Sequence, residues 1–327
     1  MLRIRSSKHL TGWLENRERE PRKFPLPGPV AYAQTVTSPD SKTSRPGKPS
    51  IALTIAGFDP SNGAGITGDL QVFASHELFG TSAITALTVQ NTLGVSATHP
   101  VDPTVLRDTL RSLAVDLPPA GIKIGMLANA KIVREVVEFL RELPKIAKNK
   151  NVIPVVLDPV INSSSGAPLL DDEGVDLMRR ELFDLVTCIT PNRQELFRIG
   201  NPSGSDQNST ISDRNSVRTV MQSIAENHKS LAILTTGGDE EVAEDHLLLP
   251  NGVWHKFTSP RIETTSTHGT GCAFSSALLS RLVLGDTAED AAAAAKQYVA
   301  EAIRTATRMG KGHGPVNHLW PLQDEDR

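Results

Sequence analysis

Short apolar runs alternate with amphipathic stretches along most of this 327-residue chain. Strand-sized runs fall at 51–57, 83–89, 121–125, 152–160, 185–190 and 231–235. Between several of them lie helix-sized stretches with one apolar face. One starts at about Thr67, with Leu70, Phe73, Ala74 and Leu78; another covers 130–140, with Val133, Val136, Val137 and Leu140; a third covers 213–226. Strands buried on both faces read as continuous apolar runs, so the alternation predicts an α/β fold with a mostly parallel central sheet and helices on both faces. In such sheets ligands bind beyond the carboxyl ends of the strands. The residues there are Gly57, Gln90, Gly125-Met126, Asp158-Pro159-Val160, Pro191-Asn192 and Gly237-Gly238.

Further along, 245–249 and 253–257 flank Asn251-Gly252, a hairpin turn. Asp286-Thr287-Ala288-Glu289 opens the last long helix as a capping box with Asp in the cap. The polar segment 201–210 is expected to be an exposed loop. Residues 1–49 combine charges, prolines and Ser/Thr with few periodic apolar positions, which predicts a disordered extension. The folded domain is then 50–320, followed by a short tail at 321–327.

One stretch carries chemistry more visibly than the rest. In Thr267-His268-Gly269-Thr270-Gly271-Cys272 a polar turn spaced by glycines runs into the Ala/Leu-rich helix that begins with Ala273-Phe274. The glycines allow close backbone approach, and a helix N-terminus points unpaired N–H groups at whatever occupies the turn. That is an anion site. Cys272 stands where the same N-terminus should favour its thiolate. A rival reading makes His268 and Cys272 the base and nucleophile of a thiol hydrolase. Gly269 and Gly271 argue against the shared helix face this would need.

Charge and cysteine usage narrow the partners. Residues 1–48 hold ten Lys/Arg and four acids, leaving 24 basic against 33 acidic residues in the remainder. A net-acidic body without a broad basic face argues against nucleic acid. No apolar run reaches membrane-spanning length, and no apolar core of a secretory signal is present, so neither membrane nor secretion is expected. Two cysteines, Cys188 in a strand-like run and Cys272, imply no disulfide framework and fit a cytoplasmic setting. A homodimer stays possible.

Several polar residues have two readings each. Asp69 is a partner for the first turn of its helix or a ligand contact. Asn192 and Glu195, three apart on an opening helix, form a capping box or hold hydrated Mg²⁺ beside phosphates. Asp158, at a strand end, is a turn residue or a metal contact. Thr236, Gly237 and Gly238 form an ordinary loop or a nucleotide-binding turn.

The ordered set of motifs is more telling than any member. Ala52-Leu53-Thr54-Ile55-Ala56-Gly57 with Asp59-Pro60-Ser61, Gly63-Ala64-Gly65-Ile66 and Asp69-Leu70 comes first, then Ile84-Thr85-Ala86-Leu87-Thr88 with Gln90-Asn91-Thr92. Lys123-Ile124-Gly125-Met126-Leu127, Asp158-Pro159-Val160, Ser165-Gly166, Thr190-Pro191-Asn192, Thr267-His268-Gly269-Thr270-Gly271-Cys272 and Gly310-Lys311-Gly312 follow in order. From about residue 50 to 320 the chain resembles the hydroxymethylpyrimidine/phosphomethylpyrimidine kinases of thiamine biosynthesis.

The resemblance implies a ribokinase-like fold and ATP-dependent phosphorylation of the hydroxymethylpyrimidine and then of its monophosphate. It implies that Gly57, Asp69, Gln90, Met126 and Val160 surround the pyrimidine. Gly269, Thr270 and Gly271 would form the anion hole, with Cys272 facing the substrate hydroxyl as base. Asp158, Asn192 and Glu195 would organise Mg²⁺, and Asn192, Thr236 and Gly238 would meet the nucleotide. Ser164 and Thr236 stand where the family usually carries lysine, and Phe58, Asn62 and Ser266 are further departures. Pyridoxal kinase, whose substrate has a similar ring and hydroxymethyl arm, and a pyrimidine-binding protein with weakened kinase activity are the alternatives.

Overall fold

A parallel sheet core needs strands buried on both faces, and the alternation of side chains along the strands shows this directly. In β1 (Ile51–Phe58), Ala52 packs into one hydrophobic core while Leu53 and Ile55 pack into another on the opposite face. The same division recurs in β5 (Val155–Leu157), β6 (Cys188–Ile189) and β7 (Ala232–Thr235). Cys188 is a small buried core residue, and burial pushes its thiol up to about 12.

The computed structural model describes residues 48–147, 152–200, 214–237 and 242–323, all within one compact unit, Pro46–Arg327. The expectations for residues 1–47, for the loop at 201–210, for Asp213, for Gly238 and for 324–327 lie outside the described residues.

Among the described residues nine strands form one sheet, ordered β3-β2-β1-β4-β5-β6-β7-β8-β9. Strands β2 (Phe79–Asn91), β1, β4 (Gly121–Ile124), β5, β6 and β7 are parallel. Each edge is antiparallel. At one edge β3 (Gly94–Pro100) folds back on β2; at the other, β8 (Val242–Leu248) and β9 (Trp254–Pro260) form the expected hairpin.

Helices cover both faces. One carries α2 (Pro103–Asp116), α3 (Ala130–Ile146), α4 (Asp172–Leu177), α5 (Arg193–Gly200) and α6 (Arg214–Asn227). The other carries α1 (Gly65–Ser75), α7 (Thr270–Val283) and α8 (Ala288–Arg304).

Three local differences from the sequence reading have physical causes. Helix α2 and strand β3 were not anticipated. Helix α2 buries only a narrow stripe, Leu106, Leu110 and Ala114, but its start is marked by Asp102, which accepts from the Thr104 N–H ahead of Pro103. The runs at 152–160 and 185–190 pair over only three and two residues, because the sheet continues just far enough to bring Asp158 and Thr190 to its edge. Finally, the cap of α8 is Thr287, which accepts from the Asp290 N–H, and not Asp286, whose carboxylate is held by Arg281.

That last distinction is measurable. Thr287→Ala is expected to lower unfolding free energy in urea by about 1 kcal/mol, and Asp286→Ala by less than about 0.5 kcal/mol, because a cap outweighs a half-exposed ion pair. The reverse order would restore Asp286 as the cap.

Candidate active site

The carboxyl ends of the parallel strands open onto one cleft of about 1460 Å³, larger than the roughly 300–1,000 Å³ pocket that suits a single small ligand. Gly57, Gln90, Met126 and Val160 line the cleft, and so do Asp158, Asn192, Glu195, Thr236, Gly269, Thr270, Gly271 and Cys272. Gly57 is needed for this shape, since a Cβ there would lie 2.8 Å from the Met126 sulfur.

Asp69 is the exception and corrects the sequence reading twice. It lies beyond the first turn of α1, and it is absent from the cleft wall because it is fully buried beneath it. Lys123 Nζ, on β4, donates to both of its oxygens at 2.9 Å. Thr54 Oγ1 donates at 2.6 Å and Ser276 Oγ at 2.8 Å. With three donor groups making four hydrogen bonds to its carboxylate, Asp69 holds β1, β4, α1 and α7 together. Burial alone would lower the Lys123 pKa, but Asp69, Cys272 and Asp158 outweigh it and hold the ammonium above the ordinary lysine range.

Helix α7 organises the reacting end. Gly269 takes φ +87 just before it, and a Cβ there would overlap the Gly63 carbonyl. Cys272, Ser275 and Ser276, at helical spacing, present a thiol to the cleft and one hydroxyl to each of two carboxylates. Ser275 Oγ donates to Asp158 Oδ2 at 3.3 Å, and Ser276 Oγ serves Asp69. Asp158 lies under the turn, 3.7 Å from where a Gly271 Cβ would be.

The expected thiolate is not what this arrangement favours. Burial pushes the Cys272 thiol up to about 12, Asp69 and Asp158 add to the rise, and Lys123 and the Gly65 N–H oppose it only in part. His268 Nε2 donates to Asp59 Oδ2 at 2.7 Å. Its ring is committed to the loop after β1.

Asn192 and Glu195 form the capping box in full. The Asn192 N–H donates to Glu195 Oε2 at 3.0 Å and the Glu195 N–H to Asn192 Oδ1 at 2.9 Å. They still line the cleft, so the box also sets the Glu195 carboxyl beside Asp158. Burial raises Glu195 to about 8, with Asp158 adding to the rise and N–H groups of Asn192 and Ile161 opposing it. Asp158 is raised to about 6 by burial, with Lys123 pulling it down and Asp69 pushing it up. Nearby, the buried Thr190 hydroxyl has no hydrogen-bond partner among the described residues.

On the far side Thr236 N donates to the Pro191 carbonyl, placing the end of β7 against that of β6. Gly237 N donates to Asp245 Oδ1 at 3.0 Å, and Lys296 Nζ reaches Asp245 Oδ2 at 2.8 Å. Ser164 lines the cleft, as do Arg261, Lys296, which is paired with Asp245, and Arg198, which is paired with Asp172. Sequence reasoning assigned no role to Lys123, Asp59 or Lys296. For Lys123 a signal was available: a lysine inside the apolar run Gly121-Ile122-Lys123-Ile124 has to be paired if that run is a buried strand.

Comparison with known proteins bears on this geometry. A family model described as phosphomethylpyrimidine kinase matches residues 59–317. The chain belongs to the phosphomethylpyrimidine kinase family. It is 38% identical over 271 residues to the hydroxymethylpyrimidine/phosphomethylpyrimidine kinase of Haemophilus influenzae, covering 81% of this chain and 95% of that protein. It is 37% identical to the thiamine biosynthesis bifunctional protein ThiED of Geobacter sulfurreducens, of whose length it spans about half, 53%. Among solved structures, phosphomethylpyrimidine kinase from Clostridium difficile matches with a TM-score of 0.63 and 33% identity, over 78% of this chain and 99% of that one. Pyridoxal kinase from Staphylococcus aureus, in complex with AMP-PCP and pyridoxal, matches with a TM-score of 0.73 and 25% identity, over 85% and 97%. The fold is ribokinase-like. No helix among the described residues is long and apolar enough to cross a membrane.

The buried pair gives a stability test. Lys123→Met is expected to cost about 3–5 kcal/mol in denaturant unfolding by leaving Asp69 uncompensated, while Lys123→Met with Asp69→Asn recovers most of that loss. Equal destabilisation by the single and double variants would show that packing, not charge pairing, is what Lys123 supplies.

Proposed function

We propose that the chain phosphorylates the hydroxymethyl group of 4-amino-5-hydroxymethyl-2-methylpyrimidine, and then the resulting monophosphate, with ATP as donor. Family membership supports the reaction. The observation that carries the residue assignment is the placement of Cys272, at the start of α7, in the same cleft as Gly57, Gln90, Met126 and Val160. These four contact the pyrimidine. The N–H groups of Gly269, Thr270 and Gly271 face the transferred phosphoryl group, and Thr236 with the β6–β7 edge meets the nucleotide.

The residues present fit a magnesium ion. Asp158 and Glu195 are two cleft carboxyls with raised pKa values, and the unpartnered Thr190 hydroxyl lies in the same wall. Among the described residues no group of three or more His, Cys, Asp or Glu residues is clustered for a metal. Mg²⁺ commonly uses one or two carboxylates together with substrate phosphates and water. When bound it supplies charge neutralisation on the phosphates.

The chain's own groups do the rest. Phosphoryl transfer through a loose transition state depends on positioning and electrostatics more than on early proton removal. A protonated Cys272 Sγ suits that requirement: it orients the substrate hydroxyl, whose proton passes late to a transferred phosphoryl oxygen as the new O–P bond forms and ADP leaves. Lys123, beneath, offsets the negative charge of Asp69 and Asp158.

Cys272→Ala is expected to lower kcat about 100-fold or more, with KM for the pyrimidine changed by no more than a few-fold; normal turnover would remove Cys272 from the mechanism. The likeness to pyridoxal kinases makes pyridoxal the competing substrate. The ratio of kcat/KM values for the two, measured in competition, is expected to favour the pyrimidine, and a ratio favouring pyridoxal would reverse the assignment.

Magnesium and pH are linked with a definite sign. Asp158 and Glu195 hold protons in the folded protein at pH values where the unfolded chain has released them. Their contribution to metal-free stability therefore falls as pH rises from about 4 through about 8. Metal binding needs the ionised forms, so the rise in Tm on adding Mg²⁺ is expected to grow between pH 5.5 and pH 8.5. A magnesium effect independent of pH would show that the ion is held elsewhere.

A further inference from the structure

Asp59 sits on the loop between β1 and α1 and lines the cleft, yet its side chain is nearly inaccessible. Oδ1 accepts from the Ser61 N–H at 2.7 Å and the Ser61 hydroxyl at 2.6 Å. Oδ2 accepts from the Gly63 N–H at 3.2 Å and the Ala64 N–H at 2.9 Å. Those four bonds shape the loop and would suffice for a structural aspartate. The fifth bond does not belong to the loop. His268 Nε2 donates to Oδ2 at 2.7 Å from 209 residues away, out of the turn that leads into α7. Gln90 also stabilises the same carboxylate.

The two backbones are in contact as well. A Cβ on Gly269 would overlap the Gly63 carbonyl, and a Cβ on Gly63 would strike the His268 ring. The Gly63 carbonyl accepts from His318 Nε2 at 2.8 Å on its other side. His268 is itself pinned, its N–H donating to the Gly314 carbonyl at 3.0 Å. Neither the loop nor the turn has room to shift alone.

We propose that the Asp59–His268 hydrogen bond couples the two substrate sites, so that a pyrimidine seated against Gly57 and Gln90 sets the 269–271 N–H groups for the phosphoryl donor. His268 is then a positioning residue, and pyrimidine and nucleotide bind with positive synergy. This rests on the substrate assignment proposed above. Coupling of this kind is reciprocal and is read as a ratio of dissociation constants.

The test is calorimetry on the full chain, titrating a non-hydrolysable ATP analogue with Mg²⁺ in the presence and absence of saturating hydroxymethylpyrimidine. Wild-type protein is expected to bind the nucleotide about tenfold more tightly when the pyrimidine is present. His268→Leu should lose half or more of that factor on a logarithmic scale, with kcat falling more than KM. His268→Gln, whose amide nitrogen can occupy the place of Nε2, should keep more than half. Retention of more than half the coupling by His268→Leu, equal loss by Leu and Gln variants, or absence of synergy in the wild type would each overturn the inference. Pyrimidine titrated alone separates the two levels: failure of the wild type to bind it sinks the substrate assignment and this inference together, whereas binding without synergy sinks the inference only.

Discussion

A lysine and an aspartate with no exposure to solvent hold the active site in register. Lys123 and Asp69 come from β4 and α1, and the carboxylate also takes hydroxyls from β1 and α7. Relative to an apolar replacement a buried ion pair adds little stability or none, since desolvating both charges offsets their attraction. What it does add is geometry. Cys272 lies one helical turn before Ser276, so the helix that presents the thiol is anchored by the same carboxylate that neutralises Lys123. The helix cannot slide without breaking the buried Ser276–Asp69 hydrogen bond.

That anchor also sets the electrostatics of the cleft. Asp69 and Asp158 lie near one buried lysine and Glu195 lies near Asp158, and the two that line the cavity are raised by burial and by neighbouring carboxylate charge. Burial thus favours the neutral forms of Asp158 and Glu195, and the proposed magnesium ion would favour their ionised forms. Desolvation and the carboxylates of Asp69 and Asp158 raise the Cys272 pKa, against the pull of Lys123 and of the helix N-terminus toward a thiolate.

These relations explain what could be read from the sequence and what could not. Strand ends are legible because buried parallel strands are continuous apolar runs, and this placed Gly57, Met126, Asp158, Asn192 and Thr236 on one edge before any coordinates. The turn at 269–271 is legible because glycine at that spacing before a helix has few other uses. The Asn192 and Glu195 box was legible as well, as one of two readings, and the structure shows that capping and lining the cleft coexist. Partners separated by 54 residues, as Lys123 and Asp69 are, or by 209, as Asp59 and His268 are, leave no local pattern. The rise in the Cys272 pKa leaves no local pattern for a related reason: desolvation is a property of the packed site and not of neighbours in the chain.

The central claim is that one cleft holds a pyrimidine hydroxyl at Cys272 and a phosphoryl group at the 269–271 turn. A crystal structure of the ternary complex with hydroxymethylpyrimidine and a non-hydrolysable ATP analogue tests it most directly. The account predicts the hydroxymethyl oxygen within hydrogen-bonding reach of Cys272 Sγ, and the terminal phosphoryl oxygens on the N–H groups of Gly269, Thr270 and Gly271. A terminal phosphate bound away from that turn, or a pyrimidine whose hydroxyl points away from Cys272, would contradict it.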